Sequence, residues 1–413
     1  MDAEIIAVGS EMLTPARVDT NSLYLTGELN NLGVEVVAKC VIGDDRDRLA
    51  NAVARALERS AIVILTGGLG PTEDDVTREA VAQALGRKLE FHAEIAEALE
   101  RRFAAMRRKM SEINKRQAFA IEGAEVLPND RGTAPGQWVA AAGAVAMLLP
   151  GPPHELKAMF EQQCLPRLAL LAPKQAIRTA FLRVTGMPES DLDELISPVY
   201  KKYQNPVTTI LAAAGDLQIH LRARCDTEAE AAALVAEVAG PMEALVGDRL
   251  YSRNGEPLEV VVGALLRERH ATVAVAESCT GGMLGERFTS TPGSSDYFVG
   301  GFITYSNALK RELLGVPAET LEQFGAVSRE TADAMAVGAR RRTGATYAIS
   351  ITGVAGPDGG TEQKPVGLVY VGIADEAGAA AVHRRFLGDR TRIRQFTTQF
   401  ALDLLRRRVL GIG

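Results

Sequence analysis

The chain has 413 residues, 46% of them apolar and 24% charged, which is ordinary globular composition and excludes a disordered protein. That length exceeds what one compact core supports, so two or three domains are expected. A net charge of −6 argues against nonspecific nucleic-acid binding over the whole surface. The four cysteines (Cys40, Cys164, Cys225 and Cys279) form no CxxC pair, which suits neither a zinc ribbon nor a disulfide framework. They fit a reducing compartment. The opening MDAEIIAVGS has no basic n-region, and the longest nearly apolar run, Val139 to Leu149, is too short to span a bilayer. A cytoplasmic protein without a membrane partner is the expectation.

In chain order, EIIAVGS reads as a strand and DTNSLYLTGELNNLG as an amphipathic helix ending at Gly33. VEVVAKCVIG is a strand, RDRLANAVARALERS a helix, AIVILTGG a buried strand and PTEDDVTREAVAQALG a helix. A long basic helix follows around Arg101 to Arg116, on which Arg101, Arg102, Arg107, Arg108 and Lys109 form a solvated face. VAMLLPGPPHELKAMF repeats the strand–turn–helix pattern, with His154 as a polar rim residue. Alternating strands and helices predict a three-layer α/β domain over 1–172, its parallel sheet covered by helices on both faces. IRTAFLRVTG, a short helix from Pro188 to Tyr203, TTILAAAGDLQIHLRARC and the helix EAEAAALVAEVAGPMEAL predict a small α+β connector over 173–252. No titratable cluster stands beside its glycines. The turn YSRNGEPLE opens a third, α/β domain over 253–413, whose terminal helix ends in arginines that complement a helix C-terminus.

Two turns share the pattern T-G-x-x-G-P after a strand: ILTGGLGPTEDD and SITGVAGPDGG. Glycines there let backbone amides approach a ligand. The first turn runs into a helix N-terminus, where a phosphate is favoured. Asp74 and Asp75, in that helix's first turn, either offset the helix dipole or hold a divalent metal bridging to phosphate oxygens. Glu11 and Asp19 would converge on the same C-terminal edge of the sheet, where open parallel sheets bind ligands.

The segments TGGLGPTEDDVTREAVA, VIGDDRDRL, DTN (Asp19 to Asn21) and LPGPPHE (Leu149 to Glu155) resemble the molybdopterin-binding-like domain of the CinA family. The resemblance covers residues 1 to about 170. The next unit is similar to that family's KH-like connector, without the GxxG loop that nucleic-acid-binding KH domains use. The resemblance implies a pyrophosphatase that cleaves ADP-ribose to AMP and ribose 5-phosphate with cobalt, manganese or magnesium. It implies nucleotide contacts from Asp19, Asn21, Thr66, Gly67, Gly68, Gly70, Pro71, Gly151, Pro152 and Glu155, and metal ligands among Asp74, Asp75 and Glu11. The chain reads EMLTPARVDTN where many relatives carry a glycine after ELL.

AESCTGG, GFITYSNALK, GAVS (Gly325 to Ser328), SITGVAGPDGG and FLGDR (Phe386 to Arg390) resemble the C-terminal domain of the same family, which also occurs alone as nicotinamide-nucleotide amidase. The resemblance implies hydrolysis of the carboxamide of nicotinamide mononucleotide (NMN), giving nicotinic acid mononucleotide and ammonia, with no cofactor in this domain. Such chemistry needs a nucleophile, a base and donors for the oxyanion. Ser278 sits where a strand meets a helix; Cys279 is the rival nucleophile. The five motifs contain no histidine, so a Ser–Lys arrangement replaces a Ser–His–Asp triad. Lys310 is either the base, with its pKa lowered by desolvation, or an exposed residue of the helix NALKRELLG. Tyr305 relays the proton or packs. Thr352 and Arg390 stabilise the oxyanion or hold the phosphate. Glu277, Thr280, Gly281, Gly282, Asn307, Gly353 and Gly356 are the remaining substrate-contact positions, and the glycines of 356–360 permit a lid.

The expected ligands are NMN and ADP-ribose, with a homodimer as the assembly and no stable nucleic-acid partner. Two other readings stay open: a nucleotide- or molybdopterin-binding protein without catalysis, and a competence or DNA-damage accessory.

Overall fold

The computed structural model describes residues 1–141, 143–172 and 175–412. The expected boundary between 172 and 173 falls on residues 173 and 174, which lie outside the described residues. The chain forms two compact units, residues 1–178 with 224–232, and residues 179–223 with 233–413.

The first unit runs β1 (Asp2–Val8), α1 (Thr20–Asn31), β2 (Glu35–Ile42), α2 (Arg46–Arg59), β3 (Ile62–Thr66), α3 (Thr77–Leu85), β4 (Leu89–Phe91) and α4 (Ala93–Ala105). It continues with β5 (Phe119–Ile121), β6 (Glu125–Leu127), β7 (Gly136–Ala141), β8 (Ala144–Leu149), α5 (Pro153–Met159) and α6 (Leu165–Leu171). Its main sheet has the order β2-β1-β3-β8-β7-β6. The first four strands are mutually parallel, and β7 and β6 extend them antiparallel. Alternate residues of β3 feed opposite faces, as a two-residue period requires. Val63 and Leu65 pack with Leu49 and Val53 of α2 and Val81 of α3. Ile62 and Ile64 pack with Leu25 and Leu29 of α1 and Leu156 of α5.

Two expected elements differ. The helix predicted from Pro71 begins only at Thr77, because Asp75 turns back to cap the preceding loop. The predicted basic helix stops at Ala105, and Arg107 takes φ 56°, so the five cations do not share one helical face. Arg102 instead donates to the carbonyls of Asn129 (2.6 Å) and Asp130 (2.9 Å).

The second unit contains a four-stranded sheet of order β10-β11-β9-β12, built from β9 (Ala176–Thr185), β10 (Val207–Ala213), β11 (Asp216–Cys225) and β12 (Leu250–Ser252). Helices α7 (Glu189–Tyr200) and α8 (Glu228–Val246) complete this α+β segment. The remainder is α9 (Leu258–Glu268), β13 (Val273–Glu277), α10 (Met283–Thr289), β14 (Phe298–Ile303), α11 (Asn307–Leu314), α12 (Ala318–Phe324) and α13 (Arg329–Thr343). Then come β15 (Tyr347–Gly353), β16 (Leu368–Asp375), β17 (Gly378–Arg385) and α14 (Arg390–Leu410). This sheet has the order β14-β13-β15-β16-β17, with β13 parallel to both neighbours and β16 and β17 antiparallel. Val275, Ile349 and Ile351 pack on one face with Val262 of α9, Leu284 of α10 and Leu402 of α14. Ala276 and Ala348 pack on the other with Leu314 of α11 and Met335 of α13. The two parallel pairings therefore bring the C-terminal ends of β13, β14 and β15 to one edge. Among the described residues no helix is long and apolar enough to cross a membrane.

Candidate active site

Ser278 follows the last residue of β13, and its amide still donates to Ile351 O on β15 at 2.9 Å. The chain then reverses through Gly281 and Gly282, both left-handed at φ 57° and 97°, a conformation that disfavours any side chain. Glu277 fixes this reversal. Its carboxylate is 1% exposed and accepts from the amides of Gly282 (3.0 Å), Leu284 (3.1 Å) and Gly285 (2.8 Å). It thereby satisfies the orphan donors of α10 from inside the fold. Glu277 is thus a structural cap, and its expected place among the substrate contacts is corrected.

Lys310, on α11, is 1% exposed and is no part of a solvated helix face. Its Nζ lies 3.0 Å from Ser278 Oγ and donates to the Thr304 carbonyl at 2.7 Å. Burial holds the amine below the ordinary lysine range. The Thr304 carbonyl is the partner that sequence reasoning missed, since a backbone oxygen carries no residue-type signal. Thr304 is tied in turn to β13, its amide donating to Glu277 O at 2.8 Å. The neighbouring Cys279 thiol is 7% exposed and pushed up to about 11 by burial, which leaves it protonated at neutral pH.

Among the described residues the Thr280 amide donates no hydrogen bond and the Cys279 amide reaches only its own sulfur, whereas those of Gly281 and Gly282 are committed to Ser278 O and to Glu277. The turn thus offers two donors tied to no other residue beside the nucleophile. Thr280 itself has no exposed surface; its hydroxyl is unpartnered and its carbonyl accepts from Arg394. Thr352, expected to stabilise the oxyanion or hold the phosphate, is buried and donates its hydroxyl proton to Ala326 O at 2.6 Å. Tyr305 is 61% exposed, and its hydroxyl accepts from Arg390 at 3.1 Å rather than joining Lys310. Arg390 also donates to Gly356 O at 2.8 Å, which ties down one end of the 356–360 loop. Asn307 is exposed at the start of α11. Gly353 is not a ligand-facing turn residue: it lies within β15, and a Cβ there would run into the Val369 side chain and the Leu368 carbonyl of β16.

The first unit has a cavity of about 560 Å³ at the C-terminal ends of β1, β3 and β8. One wall is the start of α1, with Asp19 and Asn21; the opposite wall is the turn before α5, with Gly151, Pro152 and Glu155. The turn from Thr66 through Gly67, Gly68 and Gly70 to Pro71 lies between, and Glu11 comes from the short turn after β1. Gly70 N is taken by Asp75 at 2.7 Å and Gly67 N by Leu149 O at 3.0 Å; among the described residues the amides of Gly68 and Leu69 donate to no other group and are the free ones of this turn. Asn21 Nδ2 donates to Gly151 O at 2.7 Å, while its Oδ1 is buried without a partner.

The expected metal ligands do not converge. Among the described residues no group of three or more His, Cys, Asp or Glu could hold an ion. Asp74 is exposed and outside the cavity, and the Asp75 carboxylate is occupied by Gly70 N, Thr72 N and Thr72 Oγ1. Asp19 caps α1 through Ser22, and Glu155 accepts from Asn129 at 2.7 Å. Among the described residues no group donates to the Glu11 carboxylate, in contrast to the other lining carboxylates Asp19, Asp75 and Glu155. These donors fit a divalent ion only where ligand phosphates complete its shell, as magnesium commonly requires.

The chain matches three family descriptions: residues 255–409 the "CinA C-terminal domain", 4–170 the "Probable molybdopterin binding domain", and 179–252 the "Damage-inducible protein CinA KH domain". It is 73% identical over 411 residues to a CinA-like protein of Solibacter usitatus, covering 100% of this chain and 99% of that one. A CinA-like protein of Koribacter versatilis is 50% identical over 414 residues, covering 99% of this chain and 100% of that one. Among solved structures, the competence/damage inducible protein of Agrobacterium tumefaciens is 42% identical, with a TM-score of 0.36, over 36% of this chain and 92% of its own.

Proposed function

Since the chain belongs to the CinA family, we propose that its C-terminal site hydrolyses the carboxamide of NMN to nicotinic acid mononucleotide and ammonia. The observation that carries this reading is the 3.0 Å approach of a buried lysine amine to Ser278 Oγ. A neutral Lys310 accepts the hydroxyl proton while still donating to Thr304 O, and Ser278 Oγ attacks the carboxamide carbon. The amides of Cys279 and Thr280 are the donors available to the tetrahedral oxyanion. The lysine ammonium then protonates the departing nitrogen, ammonia leaves, and an ester to Ser278 remains. Water, deprotonated by the same amine, attacks that ester; nicotinic acid mononucleotide departs and the serine recovers its proton. Arg390, exposed beside Tyr305, suits the ligand's phosphate. Incubation with NMN and chelator, followed by an ammonia assay, tests the proposal; absence of ammonia from folded protein refutes it.

The cavity of the first unit supports a second reading, hydrolysis of ADP-ribose to AMP and ribose 5-phosphate. Its two free amides and the unpartnered Asn21 Oδ1 suit a phosphate and a ligand donor. Glu11 is the residue that would hold a divalent ion, which when bound would neutralise phosphate charge. Binding of ADP-ribose without AMP release would instead favour a nucleotide-binding role.

A further inference from the structure

Among the described residues Arg78 is the largest fully buried side chain, at 1% exposure; it makes no direct ion pair, and Glu79 and Asp75 are the carboxylates whose charges act on it. Its guanidinium lies directly behind the glycine turn of the first unit, with Nη1 donating to Leu69 O at 2.8 Å and Nη2 to Gly70 O at 2.9 Å. Its Nε is buried with no partner at all. A buried cation that makes no direct ion pair is costly, and the Glu79 and Asp75 carboxylates offset only part of that cost, which leaves room for a further negative charge. Among the described residues the cavity in front carries Glu11, Asp19, Asp75 and Glu155 against one cation, Arg17. An anion entering that cavity meets a net negative lining, and the two carbonyls that Arg78 holds from the rear are those of turn residues.

We infer that Arg78 is the fixed counter-charge for a phosphate-bearing ligand at the Thr66–Pro71 turn: a residue that sets anion affinity without touching the ligand. It also pins the backbone of that turn by holding the Leu69 and Gly70 carbonyls from the rear. Asp75 works against it, placing a carboxylate on the same turn through Gly70 N and Thr72. The inference rests on the nucleotide reading of this cavity and assigns the source of its charge selectivity.

The test compares ADP-ribose with adenosine, an uncharged nucleoside, by calorimetric titration of the full chain with magnesium present. In Arg78→Met, similar in length and uncharged, ADP-ribose affinity falls about tenfold or more while adenosine affinity stays within about twofold. A purely structural arginine would weaken both equally, and that outcome, or no change in either, overturns the inference. Should Arg78→Met fail to fold, Arg78→Gln decides. It removes the charge and keeps an amide donor for a turn carbonyl, so ADP-ribose affinity falls about tenfold or more with adenosine within about twofold; equal losses for both, or no change in either, overturn the proposal. Failure of wild-type protein to bind ADP-ribose would instead strike the nucleotide reading itself.

Discussion

Lys310 Nζ sits closer to the Thr304 carbonyl, at 2.7 Å, than to Ser278 Oγ, at 3.0 Å. The carbonyl fixes one amine hydrogen, and the remaining amine geometry is free to serve the serine. With the amine held below its ordinary range by burial, NMN hydrolysis should climb with pH through that lowered value, as neutral base replaces ammonium. A pH–rate profile of kcat/KM with no decline on the acid side at any pH where the protein stays folded would contradict this.

Lys310→Met should lose about 10²–10⁴-fold in rate yet gain stability at neutral pH. The sign follows from the lowered folded value. The unfolded chain binds the proton more readily, so stability is full above the unfolded lysine value of about 10.4 and declines as pH falls toward the folded value. Urea midpoints should therefore separate variant from wild type at neutral pH and converge at alkaline pH.

Ser278→Ala should abolish ammonia release by about 10³-fold or more, and Cys279→Ala should keep it within about threefold. The protonated, buried Cys279 thiol should also resist iodoacetamide at neutral pH, as mass spectrometry of the peptide would reveal. Rapid labelling together with inactivation would make the cysteine the nucleophile.

Glu277→Gln keeps the shape and removes the charge that three amides share, so it should cost about 1–3 kcal/mol of stability by denaturant titration. An unchanged urea midpoint would argue that these hydrogen bonds do not organise the nucleophile turn.

Arg390→Met should raise KM for NMN about tenfold with a smaller change in kcat, and should leave turnover of nicotinamide riboside, which lacks the phosphate, nearly unaffected. Equal losses with both substrates would move Arg390 from phosphate binding to a structural role through Gly356 and Tyr305. In the first unit, Glu11→Gln should remove magnesium stimulation of ADP-ribose hydrolysis, while chelator should leave ammonia release intact.

The alternating core of the first unit was legible because β8 and the bulk of β3 are apolar runs, β1 is apolar from Ile5 to Val8, and α2 keeps a clean apolar stripe under its Asp45 cap. The true start of α3 was not. Acidic residues in a row look like a helix's first turn, and only the fold reveals that Asp75 spends its oxygens on Gly70 and Thr72. Helix propensity of the basic stretch likewise masked the break at Arg107. At the C-terminal site the motifs brought Ser278 and Lys310 to notice but left the burial of Lys310 open, since the helix NALKRELLG alone does not say which side faces inward. The partners of Tyr305 and Thr352 were hidden for a related reason: Arg390, at the start of α14, and Ala326, ahead of α13, reach them from elsewhere in the chain.

Helix α14 carries Arg390 and Arg394 to the site at one end, and along its length it leans on the α+β segment. A Cβ at Gly215 would lie 3.0 Å from the Phe396 ring, and Arg406, paired with Asp403, donates to Asp248 O at 2.6 Å. An excised fragment starting after Ser252 would therefore bare an aromatic ring and strip a guanidinium of its carbonyl acceptor. Anyone trimming this protein to its last third should plan replacement side chains at 396 and 406, or accept a sticky, less heat-resistant product.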